Sequence, residues 1–289
     1  MVDVCVVGSA NLDLVATTAR LPRPGETVLG ETFDEYPGGK GLNQAIAAAR
    51  SGATVALVGT VGNDEAGRRL LATAVASQVD TSGVAVDDER PTGRAMIAVD
   101  RNAENCIVVI PGANGRSAVP TLPRSAVVLA QLEVPADVVI AAFRLARQQG
   151  SLTVLNPAPA APLTDELLSL CDVIVPNEHE VELIGGVEAL HRAGARSVIV
   201  TMGPRGVEVS DRTGAPNTWE QPPWPVDVVD STGAGDAFCG GLAARLAAGD
   251  TLAAAVRWGA AAGALAATAK GAVPSLPHAA DVRRLFADS

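Results

Sequence analysis

Short Val-rich apolar runs recur along the chain, and many are followed by stretches with the spacing of a helix that buries one face. Val2–Gly8 (VDVCVVG), Thr54–Gly59, Val127–Leu132, Leu152–Leu155, Asp172–Pro176 and Ser197–Thr201 predict buried strands. Gly41–Ser51, Ala66–Ser77, Ala136–Gln149 and Thr164–Leu170 predict helices between them. The Ala-rich stretches Asp236–Ala248 and Thr251–Ala269 make the C-terminal third largely helical. Strands apolar on both faces and alternating with helices need cover on both sides. The pattern therefore predicts an α/β fold with a mostly parallel central sheet flanked by helices. No internal repeat or linker-like tract divides it, so residues 1–289 read as one main domain.

Two stretches break this rhythm. Val15–Tyr36 carries two prolines and a glycine before the alternating ETVLGETFDEY, and Thr92–Ile110 runs GRAMIAVD, a polar turn RNAEN, then CIVVI. The second reads as a hairpin, and alternation with polar partners suggests strands covered on one face only. These segments, about 15–36 and 92–110, read as a small antiparallel sheet serving as a lid or dimer surface. An edge extension of the main sheet fits the pattern equally well.

Composition narrows the function. The 289 residues are 48% apolar, which supports a sizeable core. The 22 basic and 32 acidic residues give a net charge of −10, against a nucleic-acid partner, whose phosphates call for a basic face. No apolar run approaches the roughly 20 residues of a membrane span. The start, with Asp3 in a short apolar run and no basic segment, does not read as a signal peptide, and a cytoplasmic protein is expected. Cys5, Cys106, Cys171 and Cys239 are scattered in or beside apolar runs and read as buried free thiols. The three histidines form no metal-ligand pattern. Lysine occurs only at positions 40 and 270, against twenty arginines, which singles those two out.

In an open parallel sheet, ligands bind beyond the carboxyl ends of the strands. The strand exits here offer Gly8, Ser9, Asn11 and Asp13, then Glu133, Asn156, Asn177–Glu180 and Met202–Gly206. Helix capping explains any one of these polar residues, but three glycine motifs add to them. PGGKGLNQA (Pro37–Ala45) opens a helix with Gly38 and Gly39 beside Lys40 and Asn43; Leu42 excludes a phosphate-binding loop of the Walker type. VVDSTGAGDAF (Val228–Phe238) places Gly233, Ala234 and Gly235 at a helix start, whose free amides and dipole suit an anion. Asp236 inside that cradle would repel an anion, and suits instead a base that deprotonates an attacking hydroxyl. TMGPRG (Thr201–Gly206) is a third tight turn. No G-x-G-x-x-G follows the first strand, which counts against a dinucleotide-binding oxidoreductase.

Taken in order, GSANLD, GGKGLNQA, Gln131–Glu133 (QLE), PNEHE, TMGPRG, DSTGAGDAF and the late KGA resemble the ribokinase-like, or PfkB, family of carbohydrate kinases over nearly the whole chain. The combination of NLD, GGKGLNQ and QLE is most similar to the members that phosphorylate ribose. The resemblance implies a three-layer sandwich with a small β lid, and an ATP-dependent kinase that phosphorylates the primary hydroxyl of D-ribose. By position it assigns the sugar hydroxyls to Asn11, Asp13, Gly39, Lys40, Asn43 and Glu133, and the catalytic base to Asp236. Gly233, Ala234 and Gly235 match the anion hole, and Asn177 with Thr201–Gly206, including Gly203 and Arg205, matches the nucleotide side. Glu180 matches a position that organises Mg²⁺ through water. Asp230, Thr232, Ala266, Ala269, Gly271 and Ser275 match a loop holding an activating monovalent cation such as K⁺. A homodimer through the lid is implied as well.

Two places depart from the family. Val181–Ala195 is short, as if a helix had been trimmed beside the nucleotide, and Ala260 stands where many relatives carry a larger polar side chain near the adenine. Both bear on nucleotide preference. The nearest alternative is the same transfer to deoxyribose, another sugar or a nucleoside. Only Phe33 and Tyr36 precede Phe143 as aromatics, so the sugar side offers little to stack a base, which favours a free sugar. A sugar- and nucleotide-binding sensor without catalysis is the other alternative, and the retained Asp236 argues against it.

Overall fold

A computed structural model describes residues 1–102, 104–118 and 121–287. The chain opens with β1 (Val2–Val7), then leaves the main sheet for β2 (Asn11–Thr18) and β3 (Gly30–Gly38). It returns through α1 (Lys40–Arg50), β4 (Val55–Gly62), α2 (Glu65–Ala76) and β5 (Val79–Asp87), and leaves again for β6 (Gly93–Val99) and β7 (Asn105–Ile110). A short 3₁₀ turn, Gly112–Arg116, leads to β8 (Ser125–Ala130), α3 (Ala136–Gln148), β9 (Leu152–Leu155), α4 (Asp165–Ser169) and β10 (Val173–Ile174). Next come α5 (Glu178–Leu183), α6 (Val187–Ala193), β11 (Ser197–Thr201), β12 (Val207–Asp211) and β13 (Asn217–Gln221). The remainder is α7 (Ala234–Ala247), α8 (Leu252–Ala266), α9 (Ala272–Ser275) and α10 (Ala279–Ala287). Among the described residues no helix is long and apolar enough to cross a membrane.

Nine strands form the main sheet in the order β13-β12-β11-β10-β9-β8-β1-β4-β5, parallel except where β12 pairs with β11 and β13. β1 is VDVCVV, buried on both faces, as a strand covered by helix layers must be. It pairs with β4 (Val4↔Val55) on one side and β8 (Val4↔Val127) on the other. The chain thus runs outward from β1 in one direction and resumes at β8 in the other. That reversal opens a crevice at the carboxyl ends of β1 and β8, where ligands of such sheets lie. One apolar layer packs α1, α7 and α8 against the sheet through Leu42, Ile46, Leu242 and Trp258; the other packs α3, α4 and α6 through Phe143, Leu167 and Leu190.

The two interrupting stretches form their own four-stranded sheet, β3-β2-β6-β7, rather than an edge of the main one. Its hairpins are antiparallel, while β2 and β6 run parallel, Asn11 beside Gly93. The first lid strand starts at Asn11, four residues before the expected Val15, because the NLD motif is itself lid strand. The polar turn expected at 101–105 includes Ala103, which lies outside the described residues. Cysteine burial also needs one correction: Cys5, Cys171 and Cys239 are buried free thiols, but Cys106 is exposed. It lies on β7, whose residues are all exposed, so an apolar run there does not mean a core strand.

Candidate active site

α1 and α7 carry the centre of the crevice, and their approach follows from one small residue. A Cβ on Gly240 would come within 2.5 Å of the Gln44 carbonyl oxygen and of the Ala47 side chain, so only glycine lets α7 lie this close to α1. One turn earlier on α7 stands Asp236, buried, and it therefore faces the first turn of α1. Asn43 Nδ2 donates to Asp236 Oδ2 at 2.9 Å, and Gln44 Nε2 donates to Asp236 Oδ1 at 2.8 Å. Asp236 does not cap its helix. Gly233, in the left-handed region at φ 79°, is the cap residue and supplies no side chain. The first-turn amides of α7 are thus left to the cleft, except that Ala234 N donates to Ser231 O at 3.2 Å.

A second node joins β1, the lid and β8. Glu133 Oε2 accepts from Ser9 Oγ at 2.5 Å, Lys40 N at 3.0 Å and Asn11 Nδ2 at 3.3 Å. Asn114, buried just past β7, donates to Asn11 Oδ1 at 2.7 Å and exchanges hydrogen bonds with the Ala10 backbone. That contact turns the Asn11 amide so that its NH₂ points to Glu133. Gly39 makes the bend into α1 at φ 90°, and a Cβ there would lie 2.6 Å from Asn11 N.

Charge is concentrated here. Burial raises the Asp13 carboxyl to about 7, reinforced by Glu133 and Asp236 and opposed by Lys40. Burial pulls the Lys40 ammonium down, but Asp236, Glu133 and Glu180 outweigh it and hold it above its ordinary value. Burial also raises Glu180, against the Asn177 amide and Lys40.

Beyond Asp236 the crevice widens into a cleft of about 470 Å³ lined by Lys40, Asn177, Glu180, Thr201, Gly203 and Gly235 among others. Asn177 and Glu180 form a capping box on α5: Glu180 N donates to Asn177 Oδ1 and Asn177 N to Glu180 Oε2, both at 2.8 Å. Arg205 forms an ion pair with Glu178 at the surface. Gly206 turns back onto β13, where a Cβ would strike the Gln221 carbonyl. Cys239 lines the cleft as well as packing in the core. Behind the α7 start, Asp230 ties two loops together, accepting from Thr232 N and Gly271 N, each at 2.9 Å. Its carboxyl is held low by these bonds against the effect of burial. Asp230 N also donates to Ala267 O at 3.2 Å, Ala269 N donates to Ala266 O and Ser275 Oγ to Ala272 O, and Ala269 and Ser275 line a separate cavity of about 530 Å³.

The structure brings Asn11, Asp13, Gly39, Lys40, Asn43, Glu133 and Asp236 to one end of the crevice, with Asn177, Thr201, Gly203 and Gly235 at the other. Sequence reasoning assigned no role to Gln44, Gln131, Ser9 and Asn114, which hold these residues in place. Ser9, Gln44 and Gln131 stand inside motifs already noted, which was the signal available; Asn114 stands in none.

Residues 1–279 match the pfkB family of carbohydrate kinases. The ribokinase of Haemophilus influenzae is 38% identical over 291 residues, covering 94% of either chain. That of Bacillus subtilis is 36% identical, covering 99% of this chain and 100% of its own. A solved structure of Arabidopsis thaliana ribokinase complexed with ribose and ATP superposes with a TM-score of 0.89 at 29% identity, covering 98% of both chains.

Proposed function

The chain belongs to the pfkB family of carbohydrate kinases, and from that premise we propose that it transfers the γ-phosphoryl group of ATP to the primary hydroxyl of D-ribose, giving ribose 5-phosphate. The observation that carries this reading is Asp236, fixed by Asn43 and Gln44 between a polar pocket and an open glycine-rich helix start. Curated ribokinases of similar length, together with the ribose- and ATP-bound relative, support ribose and ATP as the substrates.

In this reading Asn11, Asp13, Gly39, Lys40, Asn43 and Glu133 hold the sugar hydroxyls. Asn43 Oδ1 is buried and has no hydrogen-bond partner among the described residues, so a sugar hydroxyl would satisfy it. Asp236 accepts the proton of the primary hydroxyl as its oxygen attacks phosphorus. The proton need leave only late, once the bond from the hydroxyl oxygen to phosphorus has begun to form. The amides of Gly233, Ala234 and Gly235 face the negative charge that builds on the transferred group, with the helix dipole behind them. Ala234 must leave Ser231 to take part. Asn177, Thr201, Gly203, Arg205 and Gly206 form the nucleotide side, Arg205 and Gly206 as supports of the turn. Closure of the lid over the sugar would exclude water that competes for the phosphoryl group.

The residues present fit two ions. Glu180 keeps Oε1 clear of its capping bond, and no cluster of three acidic, His or Cys side chains exists among the described residues, so Mg²⁺ would be held by the ATP phosphates and by Glu180 through water. It would supply charge neutralisation on the phosphates. Asp230 and the neighbouring main-chain oxygens of Thr232, Ala266, Ala269, Gly271 and Ser275 are the hard donors a K⁺ ion takes. We also place the enzyme in the cytoplasm, as its unpaired cysteines suit a reducing compartment. We further infer a homodimer through the lid, supported by Met96, Ile107, Val108, Val109 and Ile110, apolar yet exposed together on β6 and β7. Sedimentation should show a dimer that Ile107→Asp with Val108→Asp converts to monomer; a monomeric wild type overturns it.

The test of function is ADP release from MgATP, with and without K⁺, across D-ribose, 2-deoxyribose, fructose and adenosine. Turnover on ribose above the others is expected. Turnover on another acceptor would overturn the ribose assignment, and silence on all of them with ATP still bound would point to a sensor.

A further inference from the structure

Gln44 and Gln131 are completely buried beside the crevice, and neither has a role in the reaction as described above. Gln44 Nε2 donates to Asp236 Oδ1 at 2.8 Å and to Asn156 Oδ1 at 3.1 Å, while Gln131 Nε2 donates to Gln44 Oε1 at 2.6 Å. Asn156 Nδ2 in turn donates to Val175 O at 2.9 Å.

The chemistry at the two ends of this chain fixes every amide in it. A carboxylate and a main-chain carbonyl only accept hydrogen bonds. Val175 O therefore requires the NH₂ of Asn156, which turns the Asn156 carbonyl toward Gln44. Asp236 likewise requires the NH₂ of Gln44. Both protons of that NH₂ are then committed, and the Gln44 carbonyl faces Gln131, which must present its own NH₂. Gln131 Oε1 is left buried without a partner among the described residues, pressed against Gly8, where any Cβ would strike it. A buried unsatisfied carbonyl does not favour folding. Its retention is explained by what the opposite end of the same amide holds.

We propose that Gln44 is a positioning residue for Asp236, held in its one productive orientation by Gln131 and Asn156. The proposal rests on the base role assigned to Asp236 above. With Asn43 alone on Oδ2, the carboxylate could rotate about its terminal torsion. With Gln44 on Oδ1 both oxygens are pinned, and the remaining lone pairs keep one direction toward the acceptor hydroxyl. The Gln44 side chain is completely buried and hydrogen-bonds none of the residues assigned to the sugar hydroxyls.

The test compares Gln44→Leu, Gln131→Leu, Asp236→Asn and the Gln44→Leu/Asp236→Asn double variant in steady-state ribose phosphorylation. Gln44→Leu should lower kcat by about 10²-fold, the size of a small misplacement of a reacting group, and leave the KM for ribose and ATP within about threefold. Gln131→Leu, one bond further away, should lower kcat by roughly tenfold, and it decides the matter if Gln44→Leu does not fold. On the Asp236→Asn background Gln44→Leu should have no further effect. An equal further loss there marks general damage to the site and overturns the proposal. If Asp236→Asn is inactive while both single glutamine variants keep the wild-type kcat, the positioning role alone falls. If Asp236→Asn keeps its rate, the base assignment falls and the positioning role with it.

Discussion

The two halves of the crevice are built on opposite plans. At the sugar end the polar groups are tied to one another: Glu133 gathers Ser9, Asn11 and the Lys40 amide, and Asp236 is held by Asn43 and Gln44, while Asn43 Oδ1 is left for the acceptor. At the nucleotide end the cleft is bordered by a short capped helix, a 3₁₀ turn and a surface ion pair between Arg205 and Glu178. A preorganised network loses little on binding and misplaces little at the reacting atoms, whereas an open edge of backbone and glycine tolerates variation. The difference teaches that this site spends its order on the acceptor and its base. Sequence changes at the sugar end should therefore act on the chemical step or on ribose, and changes of equal size at the nucleotide end should be felt less.

The comparison breaks most sharply at Asp236. Asp236→Asn keeps the shape and one oxygen while removing the proton acceptor, and should lower kcat by roughly 10²–10⁴-fold, the usual weight of a general base. Ribose KM should change little, because the amide still fills its place beside Asn43. Near-normal turnover would mean that the sugar-end order serves binding alone.

Asp13 is next in size, and its sign depends on pH. Its carboxyl is raised to about 7 by burial, then by Glu133 and Asp236, so the folded protein keeps a proton that the unfolded chain loses near pH 3.9. Between about pH 4 and pH 7 the folded state binds more protons, and stability falls as pH rises through that window. Above it the buried charge destabilises the ligand-free enzyme by up to about 4 kcal/mol. That same charge is the stronger acceptor for sugar hydroxyls, so kcat/KM for ribose should rise from pH 6 to pH 8. Asp13→Asn should raise ribose KM by about 10–10²-fold, the worth of a hydrogen bond to a charged group. It should also raise Tm at pH 8 and flatten its pH dependence. A variant less stable than wild type at pH 8 would show that Asp13 is a structural partner rather than strained for ribose.

What the sequence disclosed follows the same division. The βα rhythm exposed the six inner strands of the main sheet because they are apolar on both faces, and missed β5, β12 and β13, which lie toward its edges and are partly exposed. The glycine motifs located both ends of the crevice because backbone that approaches a ligand closely excludes side chains. Asn114, Gln44 and Gln131 stayed silent. A buried carboxamide carries no charge and follows no periodicity, and its value lies in which oxygen it meets across 87 to 192 positions of chain. Cys106 read as a buried thiol because the run CIVVI reports apolarity and not what covers it. The start of the lid at Asn11 was hidden because β2 is buried at Asn11–Asp13 and has no exposed residue along its length, so it shows no alternation there.

The smallest expected effect sharpens the comparison most finely, since it sets one methyl group against the same methyl group. Gly39 bends into α1 at φ 90°, and a Cβ there would lie 2.6 Å from Asn11 N and 2.9 Å from Ala10 Cα. Gly39→Ala must therefore strain the backbone, by about 1–3 kcal/mol, and push Asn11 off Glu133 and Asn114. Ribose kcat/KM should fall about tenfold, with ATP affinity unchanged. Gly235, in the first turn of α7, has nothing within 4 Å of where a Cβ would stand. Alanine is the better helix former there, so Gly235→Ala should leave Tm equal or slightly higher and ribose KM untouched. The Gly235 amide is also assigned to the transferred phosphoryl group, so whatever loss the methyl causes should fall on kcat and on kcat/KM for ATP, by less than about tenfold, and leave ribose binding intact. Should Gly235→Ala prove the more damaging of the two, the phosphoryl contact at the helix start is held to closer tolerance than the sugar end, and the nucleotide end is the more exacting half of the site.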